Sequence, residues 1–411
     1  MAISIIGLGK LGLCTAACFA REGVSVIGYD NDPERVSLLG EHKCYIDEPG
    51  LEDMLNEVFI NHDFAVTGDI QVAIEHTNQT FIIVPTPSDE RGFFSNDIIM
   101  QVLSDLAIPL KVKKEFHVIN IVSTVMPGSC HRFISYLENK TGKISGKDFG
   151  LTYNPEFIAI GTIINDFKNP DMILIGADDQ KSAPKISDTY RGFSSNFQIM
   201  SIINAEITKL SLNCYLTTKI SFVNELATIC ETIPGADVDC VTGAIGCDRR
   251  VGSKLLKAGV GFGGPCLPRD VIAWAAYSEQ KNYRARIPEA VKYINDAVIG
   301  RIISLILCHV PSNGIVDIYG IGYKPGATLT EGSQSIILRD KLSEIGYTVR
   351  MFESRANASG LPTAKAIVAM SDHAAIQEDI ITHDCVFIDP WRKFKNVQHL
   401  CTYYGLGLGH V

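Results

Sequence analysis

The sequence predicts an α/β protein with two Rossmann-like parallel-sheet domains joined by a long central helix or helical domain. In the first and last parts of the chain, short β-branched runs alternate with longer helical patterns, which is typical of parallel sheets covered by helices. Between them, the segment from Ser201 to Ile233 contains neither Gly nor Pro and repeats apolar residues at helical spacing. One long helix is the simplest interpretation of that segment.

The runs richest in β-branched residues are the predicted strands. They are Ile3 to Ile6, Ser25 to Tyr29, Phe81 to Val84 and His117 to Ile121, followed after the helical middle by Ile315 to Tyr319, Tyr347 to Phe352 and Cys385 to Ile388. A chain of 411 residues holds two or three domains at about 150 residues each. We place the boundaries at residues 200 and 300.

Composition argues against several classes of partner. A formal charge of −9 disfavours nucleic acid and anionic membranes, since both require a basic face. The N-terminus resembles no signal peptide, and no run of about 18 apolar residues follows, so we expect a cytoplasmic protein. The 12 cysteines show no CxxC pairs or metal-ligand spacing, which predicts no metal site and mostly buried, reduced thiols.

A dinucleotide site is predicted at the first strand. Gly7, Gly9 and Gly12 form G-x-G-x-x-G directly after it, and Asp30 ends the second strand, where its carboxylate would bind a ribose diol and repel a 2′-phosphate. NAD is therefore favoured over NADP, and a glycine turn without a ligand is the alternative. Arg35 lies either over the adenine or in solvent.

The two ends of the chain resemble each other. The run from Val316 to Gly322 repeats the strand and Gly-x-Gly of Ile3 to Gly9, and Glu353 ends its following strand as Asp30 does. The likeness predicts a second βαβ unit of the same kind, although unrelated βαβ units can share such a pattern by chance.

A glycine-rich loop precedes one cysteine, Cys266, in Gly259-Val-Gly-Phe-Gly-Gly-Pro-Cys-Leu-Pro-Arg-Asp270. We expect the glycines to let a ligand approach the backbone rather than to serve packing. If a helix begins near Pro268, Cys266 and Asp270 lie one turn apart, and the helix N-terminus favours the thiolate. Taken alone, the loop favours a buried, inert cysteine.

The predicted long helix carries Glu206, Lys209 and Asn213 on one stripe, at the spacing of a single helix face. Such a stripe is usually a solvated face. Lys and Asn are also the donor types that stabilise an oxyanion formed when a thiolate attacks a carbonyl.

Together these motifs resemble the UDP-glucose/GDP-mannose dehydrogenase family along nearly the whole chain. The matching blocks are Gly7-Leu-Gly-Lys-Leu-Gly12, Val84-Pro-Thr-Pro87, Ser123-Thr-Val-Met-Pro-Gly128, Asn154-Pro-Glu-Phe157, Lys209 with Asn213, and the loop from Gly261 to Asp270. The resemblance implies an NAD-binding domain over residues 1–200, a central dimerisation domain over 201–300, and a nucleotide-sugar-binding domain over 301–411.

The resemblance also implies a four-electron oxidation that releases two NADH. A sugar CH2OH becomes an aldehyde, Cys266 adds to it as a thiohemiacetal, and oxidation of this adduct gives a thioester that water hydrolyses. In this scheme Lys209 and Asn213 stabilise oxyanions, Glu156 assists hydrolysis, and Asp270 and Thr124 position water and protons.

Further contacts follow from the same resemblance. The implied cofactor contacts are Gly7, Gly9, Lys10, Leu11, Gly12, Asp30, Arg35, Val84, Pro85, Thr86, Thr124 and Arg269. The implied substrate contacts are Phe157, Ile158, Lys209, Asn213, Arg250, Phe262, Gly263, Cys266, Lys324 and Arg392. Arg250 matches an arginine that reaches the substrate of a neighbouring subunit, so a homodimer or larger homo-oligomer is expected.

Five positions depart from the family pattern: Ile160, Met172, Pro265, Arg269 and Glu331. They leave the nucleophile and its donors in place, and they bear on substrate and cofactor contacts. We expect a UDP-hexose substrate. The alternatives are a two-electron hydroxyacid-type dehydrogenase, which needs no cysteine, and a nucleotide-sugar-binding protein that has lost turnover.

Overall fold

The computed structural model describes residues 2–61, 63–159, 161–323, 330–353, 363–371, 376 and 381–409. It divides into two compact units, residues 1–209 and residues 210–411. Helix α9, Ile202–Glu231, contains the boundary between them. The division at residues 200 and 300 stays a prediction.

The first unit is built on an eight-stranded sheet of order β3-β2-β1-β4-β5-β6-β7-β8. Neighbouring strands are parallel except for the antiparallel pair β6 and β7. The strands are β1 Ala2–Ile6, β2 Ser25–Tyr29, β3 Phe64–Thr67, β4 Gln79–Ile82, β5 His117–Ile121, β6 Phe149–Tyr153, β7 Ile173–Ala177 and β8 Phe197–Met200. The helices that accompany them are α1 Lys10–Arg21, α2 Pro33–Gly40, α3 Leu51–Ile60, α4 Ile70–Glu75, α5 Asp97–Val112, α6 Ser129–Thr141, α7 Ile163–Lys168 and α8 Ser182–Thr189.

Both faces of the sheet are buried at its central strands, because every residue of β4, β5 and β6 is buried. On β5, Val118 packs into one hydrophobic cluster and Ile119 into another, because successive side chains of a strand point to opposite faces. Helix α1 covers the first face, with nine consecutive buried residues. The sheet therefore holds the carboxyl ends of its central strands in fixed positions.

The second unit contains a five-stranded parallel sheet of order β10-β9-β11-β12-β13. Its strands are β9 Ile315–Tyr319, β10 Thr348–Phe352, β11 Ala366–Ala369, β12 Val386–Asp389 and β13 Thr402–Gly405. The helices of this unit beyond α9 are α10 Val238–Gly246, α11 Leu267–Gln280, α12 Arg286–His309, α13 Gln334–Glu344 and a short 3-10 helix, Lys395–His399.

The elements predicted from sequence are confirmed. Strands β1, β2, β5, β9, β10 and β12 and helix α9 agree with the predicted ranges to within two residues at each end. Strand β4 ends at Ile82 rather than at Val84. The backbone N–H of Val84 donates to Oγ of Ser123, so this residue has left the sheet ladder.

The first turns of the two sheets have the same hydrogen bonding. Gly7 and Gly320 have φ of 94° and 93°, and each donates its N–H to the last residue of the neighbouring strand at 2.8 Å. In both turns the next N–H donates to an acid at 2.8 Å, Leu8 to Asp30 and Ile321 to Glu353. The sequence likeness thus corresponds to a repeated backbone arrangement.

Among the described residues, no helix combines the length and the apolar character needed to cross a membrane.

Candidate active site

The glycine turn after β1 contains two glycines that packing requires and one that faces open space. A Cβ on Gly7 would lie 2.4 Å from the carbonyl oxygen of Ile83, and one on Gly12 would lie 1.9 Å from that of Gly7. At Gly9, which precedes α1, a Cβ would meet no heavy atom of the described chain within 4 Å. The first turn of α1 is therefore open to a phosphate, as a dinucleotide requires.

Asp30 is held at the end of β2 in the position predicted for a ribose acceptor. It is only 4% exposed, and its Oδ2 and Oδ1 accept N–H groups from Leu8 and Asp32 at 2.8 and 3.0 Å. Arg35 lies 3.3 Å from Asp30 and 3.3 Å from Asp32. Its guanidinium is thus tied to these carboxylates, and its contact with adenine stays a prediction.

Glu48 is a buried acid that sequence reasoning missed. It lies 3.3 Å from the ammonium of Lys10, and it accepts N–H groups from Gly161 and Ile163 at 3.2 and 2.8 Å. It therefore links the glycine-turn lysine to the segment that follows the Asn-Pro-Glu-Phe block. No motif marks Glu48, because its partners are far away in sequence.

Two of the matching blocks meet at the carboxyl ends of β4 and β5. Oγ of Ser123 lies 2.9 Å from N and 2.7 Å from O of Val84. The hydroxyl of Thr86 donates to the carbonyl oxygen of Thr124 at 2.8 Å. The Val-Pro-Thr-Pro and Ser-Thr-Val segments thus form one hydrogen-bonded edge of the sheet, where ligands bind in open α/β folds.

The Asn-Pro-Glu-Phe segment and Lys209 also lie together. Nζ of Lys209 donates to the carbonyl oxygen of Glu156 at 2.7 Å and lies 4.7 Å from the centre of the Phe157 ring. The carboxylate of Glu156 accepts the hydroxyl of Tyr190 at 2.7 Å. Burial raises the pKa of Glu156 to about 7, against the opposing effects of Tyr190 and Lys209. Such a carboxyl can exchange protons near neutral pH.

The polar stripe of α9 is buried, so its interpretation as a solvated face is wrong. Glu206, Lys209 and Asn213 are 0%, 8% and 8% exposed. Glu206 accepts N–H groups from Gly128 and Cys130 at 2.6 and 2.9 Å, at the N-terminus of α6, where a carboxylate is stabilising. Glu206 is therefore a structural residue of the first unit.

The glycine loop of the second unit packs against its own chain, which corrects the expectation that its glycines serve a ligand rather than packing. A Cβ on any of the four glycines would lie within 2.3 to 2.7 Å of another residue. The pairs are Gly259 with Trp391, Gly261 with Asn295, Gly263 with Gly332, and Gly264 with Tyr323. The loop preceding Cys266 thus has its path fixed by close contacts.

Phe262 in this loop is held through its backbone. Its N–H donates to Oδ1 of Asn295 at 2.7 Å, and its carbonyl oxygen accepts from Asn295 at 3.1 Å and from Gln334 at 2.9 Å. Asn295 lies on α12 and is 6% exposed. Sequence reasoning missed both amides, since isolated Asn and Gln residues in helices carry no motif.

Cys266 is exposed and forms the N-cap of α11, with Pro268 in the first turn, as predicted. The N–H of Asp270 donates to the carbonyl oxygen of Cys266 at 2.9 Å. Asp270 is 1% exposed, and its Oδ2 accepts the side-chain amide of Asn213 at 2.6 Å. Arg269 lies 3.5 Å from the same carboxylate. The helix that begins at Cys266 thus has an ordered acid, bonded to an amide, in its first turn.

Comparison with known proteins assigns the family. The sequence model of the UDP-glucose/GDP-mannose dehydrogenase family matches with its NAD binding domain over residues 1–194 and with its central domain over residues 203–297. The chain belongs to this family.

The relatives include enzymes with different named substrates. The chain is 32% identical to the UDP-glucose 6-dehydrogenase AglM of Haloferax volcanii over 85% of this chain and 82% of that protein. It is 30% identical to the GDP-mannose 6-dehydrogenase of Pseudomonas aeruginosa over 86% and 81%. A UDP-glucose dehydrogenase structure from Pyrobaculum islandicum matches with a TM-score of 0.88 and 26% identity, covering 99% of this chain and 98% of that one.

As a member of the UDP-glucose/GDP-mannose dehydrogenase family, the chain is an NAD-dependent nucleotide-sugar dehydrogenase. The open space at Gly9 and the ordered carboxylate of Asp30 fit NAD as its cofactor. Membership favours nucleotide-sugar oxidation over the hydroxyacid-type alternative.

Arg392, which the family resemblance implies as a substrate contact, has a structural role. Its guanidinium makes five hydrogen bonds, two to Asp239 and one each to the carbonyl oxygens of Pro390, Leu406 and Ala258. A guanidinium has five N–H donors, so each is directed to an acceptor within the chain. The contact of Arg392 with the substrate, which the family resemblance implies, stays a prediction.

The other predicted substrate contacts remain expectations. Arg250 is exposed and pairs with Asp248 at 2.7 Å, and Ile158 packs at the edge of the first hydrophobic cluster. Lys324 and the family departure at Ile160 lie outside the described residues.

Proposed function

We propose that this chain oxidises the CH2OH group of a nucleotide sugar to a carboxylate in two steps, with Cys266 as the covalent nucleophile. The observation that carries the proposal is the place of Cys266, exposed at the N-cap of α11 with the Asp270 carboxylate in the first turn of the same helix. Of the 12 cysteines, Cys266 alone combines a helix N-terminus with the family's glycine loop.

The chain supplies nucleophile, donors and base. NAD, when bound, accepts one hydride in each of the two oxidation steps. The Cys266 sulfur adds to the aldehyde carbon, and the ammonium of Lys209 and the amide of Asn213 stabilise the oxygen that becomes negative. Asn213 donates one N–H to Asp270 and retains a second for this purpose. Glu156, with its pKa raised to about 7 by burial, takes a proton from the water that hydrolyses the thioester.

The proposed substrate is a UDP-hexose, with UDP-glucose tested first. The support is that AglM and the Pyrobaculum islandicum protein are named for UDP-glucose, while the Pseudomonas relative is named for GDP-mannose. A spectrophotometric screen for NADH over UDP-, GDP-, TDP- and CDP-hexoses tests this. Two NADH per UDP-glucose are expected. Tight UDP-glucose binding without NADH across the whole panel would instead indicate a binding protein that has lost turnover.

The covalent route is tested by Cys266→Ser. This variant is expected to reduce one NAD per sugar and stop at the aldehyde, because serine leaves no thiolate to form the adduct. Cys247→Ser is the matched control, since Cys247 is also exposed but lies at the end of α10, and it should keep two NADH. Full acid production by Cys266→Ser would contradict the proposal.

A homodimer through α9 is part of the proposal. Tyr215, Phe222 and Ile229 are spaced seven residues apart on this helix and are 59%, 50% and 51% exposed. Exposed apolar side chains on one helical face are typical of an interface. Phe222→Glu should give a monomer in light scattering, whereas Glu279→Lys, at an exposed position of α11, should stay dimeric. An unchanged mass for Phe222→Glu would exclude this face.

A further inference from the structure

Tyr190 follows α8 and points its hydroxyl at the Glu156 carboxylate. The hydroxyl donates to Oε1 at 2.7 Å. The residue is 2% exposed, and its ring lies 5.0 Å from Phe19, 5.8 Å from Phe167 and 6.4 Å from Phe193, centre to centre. Because packed aromatic rings leave little room for reorientation, the hydroxyl has one direction available.

Besides Tyr190, two further titratable groups lie near Glu156, and a third lies near one of them. Lys209 of α9 lies on the carbonyl side of the residue, Cys18 of α1 is near the carboxyl, and Lys168 at the end of α7 is near Cys18. Burial raises the pKa of Cys18 to about 12 and that of Tyr190 well above its usual range. Both groups are therefore neutral near pH 7, and Tyr190 keeps the proton that it donates.

We propose that Tyr190 is a positioning residue for thioester hydrolysis, holding Oε1 of Glu156 so that Oε2 is directed to the attacking water. This inference rests on the proposed function. The water oxygen forms a bond to the thioester carbonyl carbon, and one water proton passes to Oε2 of Glu156. The carbon–sulfur bond breaks, and its electron pair stays on the sulfur of Cys266, giving the acid, the thiolate and protonated Glu156.

A pH profile tests the role of this hydroxyl. Tyr190→Phe keeps the ring and removes a hydrogen bond that favours the carboxylate form of Glu156. In the full-length enzyme with NAD and UDP-glucose, we measure decay of the covalent intermediate from pH 6 to 9. The acidic limb is expected to move up by about one pH unit, with a five- to tenfold slower decay at pH 7 that recovers at pH 9. KM for NAD and for UDP-glucose should not change.

Phe193→Leu is the matched control. Phe193 belongs to the same aromatic cluster, 4.9 Å from Phe167, and the structure shows no hydrogen bond from it to Glu156. Phe193→Leu should lower the melting temperature but leave the pH dependence of intermediate decay unchanged. An unshifted profile for Tyr190→Phe, or an equal shift for Phe193→Leu, would overturn the inference.

Glu156→Gln separates this inference from the proposed function. If that variant hydrolyses the intermediate at the normal rate, the proposed role of Glu156 itself fails. If it stalls while Tyr190→Phe behaves as wild type, only the role of Tyr190 fails. Infrared difference spectra between wild type and Glu156→Gln measure the titration of the Glu156 carboxyl directly. This measurement does not depend on the folding of a Tyr190 variant. A carboxyl band that titrates near pH 7 supports the arrangement, and one that titrates near pH 4 contradicts it.

Discussion

The side-chain amide of Asn213 donates to the carboxylate of Asp270 across 2.6 Å, joining α9 to the first turn of α11 within the second unit. Asp270 is 1% exposed, and Arg269 lies 3.5 Å from the same carboxylate. A hydrogen bond between two side chains of the proposed mechanism therefore connects α9 to the helix that begins at Cys266.

Exchanging the two side chains tests this pair. Asn213→Asp places a second carboxylate against Asp270 and should lower the free energy of unfolding by about 3 kcal/mol, since a buried like-charge contact is strongly unfavourable. The double variant Asn213→Asp/Asp270→Asn restores one amide and one acid. Urea denaturation should show recovery of at least half of the loss. Additive losses in the double variant would show that the two residues do not interact.

Asn295 should control the path of the glycine loop. Asn295→Ala leaves the N–H of Phe262 without the acceptor that it has at 2.7 Å, and a buried unpaired group costs about 1 to 3 kcal/mol. We expect a lower kcat, slower alkylation of Cys266 by iodoacetamide, and an unchanged KM for NAD. Cys266→Ser provides the blank for alkylation.

Gln334→Ala is the control for Asn295→Ala. It removes one of two donors to the carbonyl oxygen of Phe262, so its effect should be the smaller one. If both variants changed kcat and Cys266 alkylation equally, the hydrogen bond from the Phe262 N–H to Asn295 would not be what controls the loop.

Glu156 and Glu206, two glutamates of the first unit, should respond to neutralisation in opposite ways. The carboxyl of Glu156 has a pKa raised to about 7 by burial, so its protonated form stabilises the fold. That contribution is present at low pH and is lost as the pH rises through 7. Glu156→Gln should therefore be more stable than wild type at pH 8 by about 2 kcal/mol, and this gain should shrink towards pH 5.

Glu206→Gln should be destabilising instead. Both carboxylate oxygens of Glu206 accept backbone N–H groups of the α6 N-terminus, and an amide nitrogen cannot replace one of them. The expected loss is about 1 to 3 kcal/mol at pH 8. Thermal denaturation of both variants at pH 5 and pH 8 measures the change in stability. If both variants gained or both lost stability at pH 8, the surroundings of Glu156 and Glu206 would not differ in the way described.

Local signals in the sequence located the elements and the family motifs. The strand from Cys385 to Ile388 and helix α9 could be predicted, because a buried parallel strand is continuously apolar and a long helix lacks Gly and Pro. Cys266 and Gly9 were marked by glycine spacing, which local backbone geometry imposes. These features depend on residues that are close in sequence.

Long-range partners could not be predicted in the same way. Glu48 contacts Gly161 and Ile163 more than one hundred positions away, and Asn295 of α12 binds Phe262 of the glycine loop. The burial of Glu206 was also missed, because a polar stripe has the same sequence pattern whether it meets water or a helix N-terminus. Only the packed chain distinguishes these cases.

Arg392 provides the sharpest test of a structural against a binding role. Its side chain is 0% exposed and pairs with Asp239 at 2.8 Å, and its φ of 56° is in the left-handed region. A lysine cannot span five acceptors in a plane, so Arg392→Lys should lower the free energy of unfolding by about 3 kcal/mol. Titration calorimetry with UDP at a temperature where the variant is folded should give a wild-type Kd.

Asp239→Asn is the control for Arg392→Lys, because it removes the charge of the partner and keeps its size and one acceptor. It should cost less than Arg392→Lys, since the three carbonyl bonds of the guanidinium remain. If Arg392→Lys kept its stability and lost UDP binding by tenfold or more, the substrate contact implied by the family would be right and the structural role wrong. A structural role predicts that Arg392→Lys loses stability and keeps UDP binding, whereas a substrate contact predicts the reverse. This one variant therefore distinguishes the two roles.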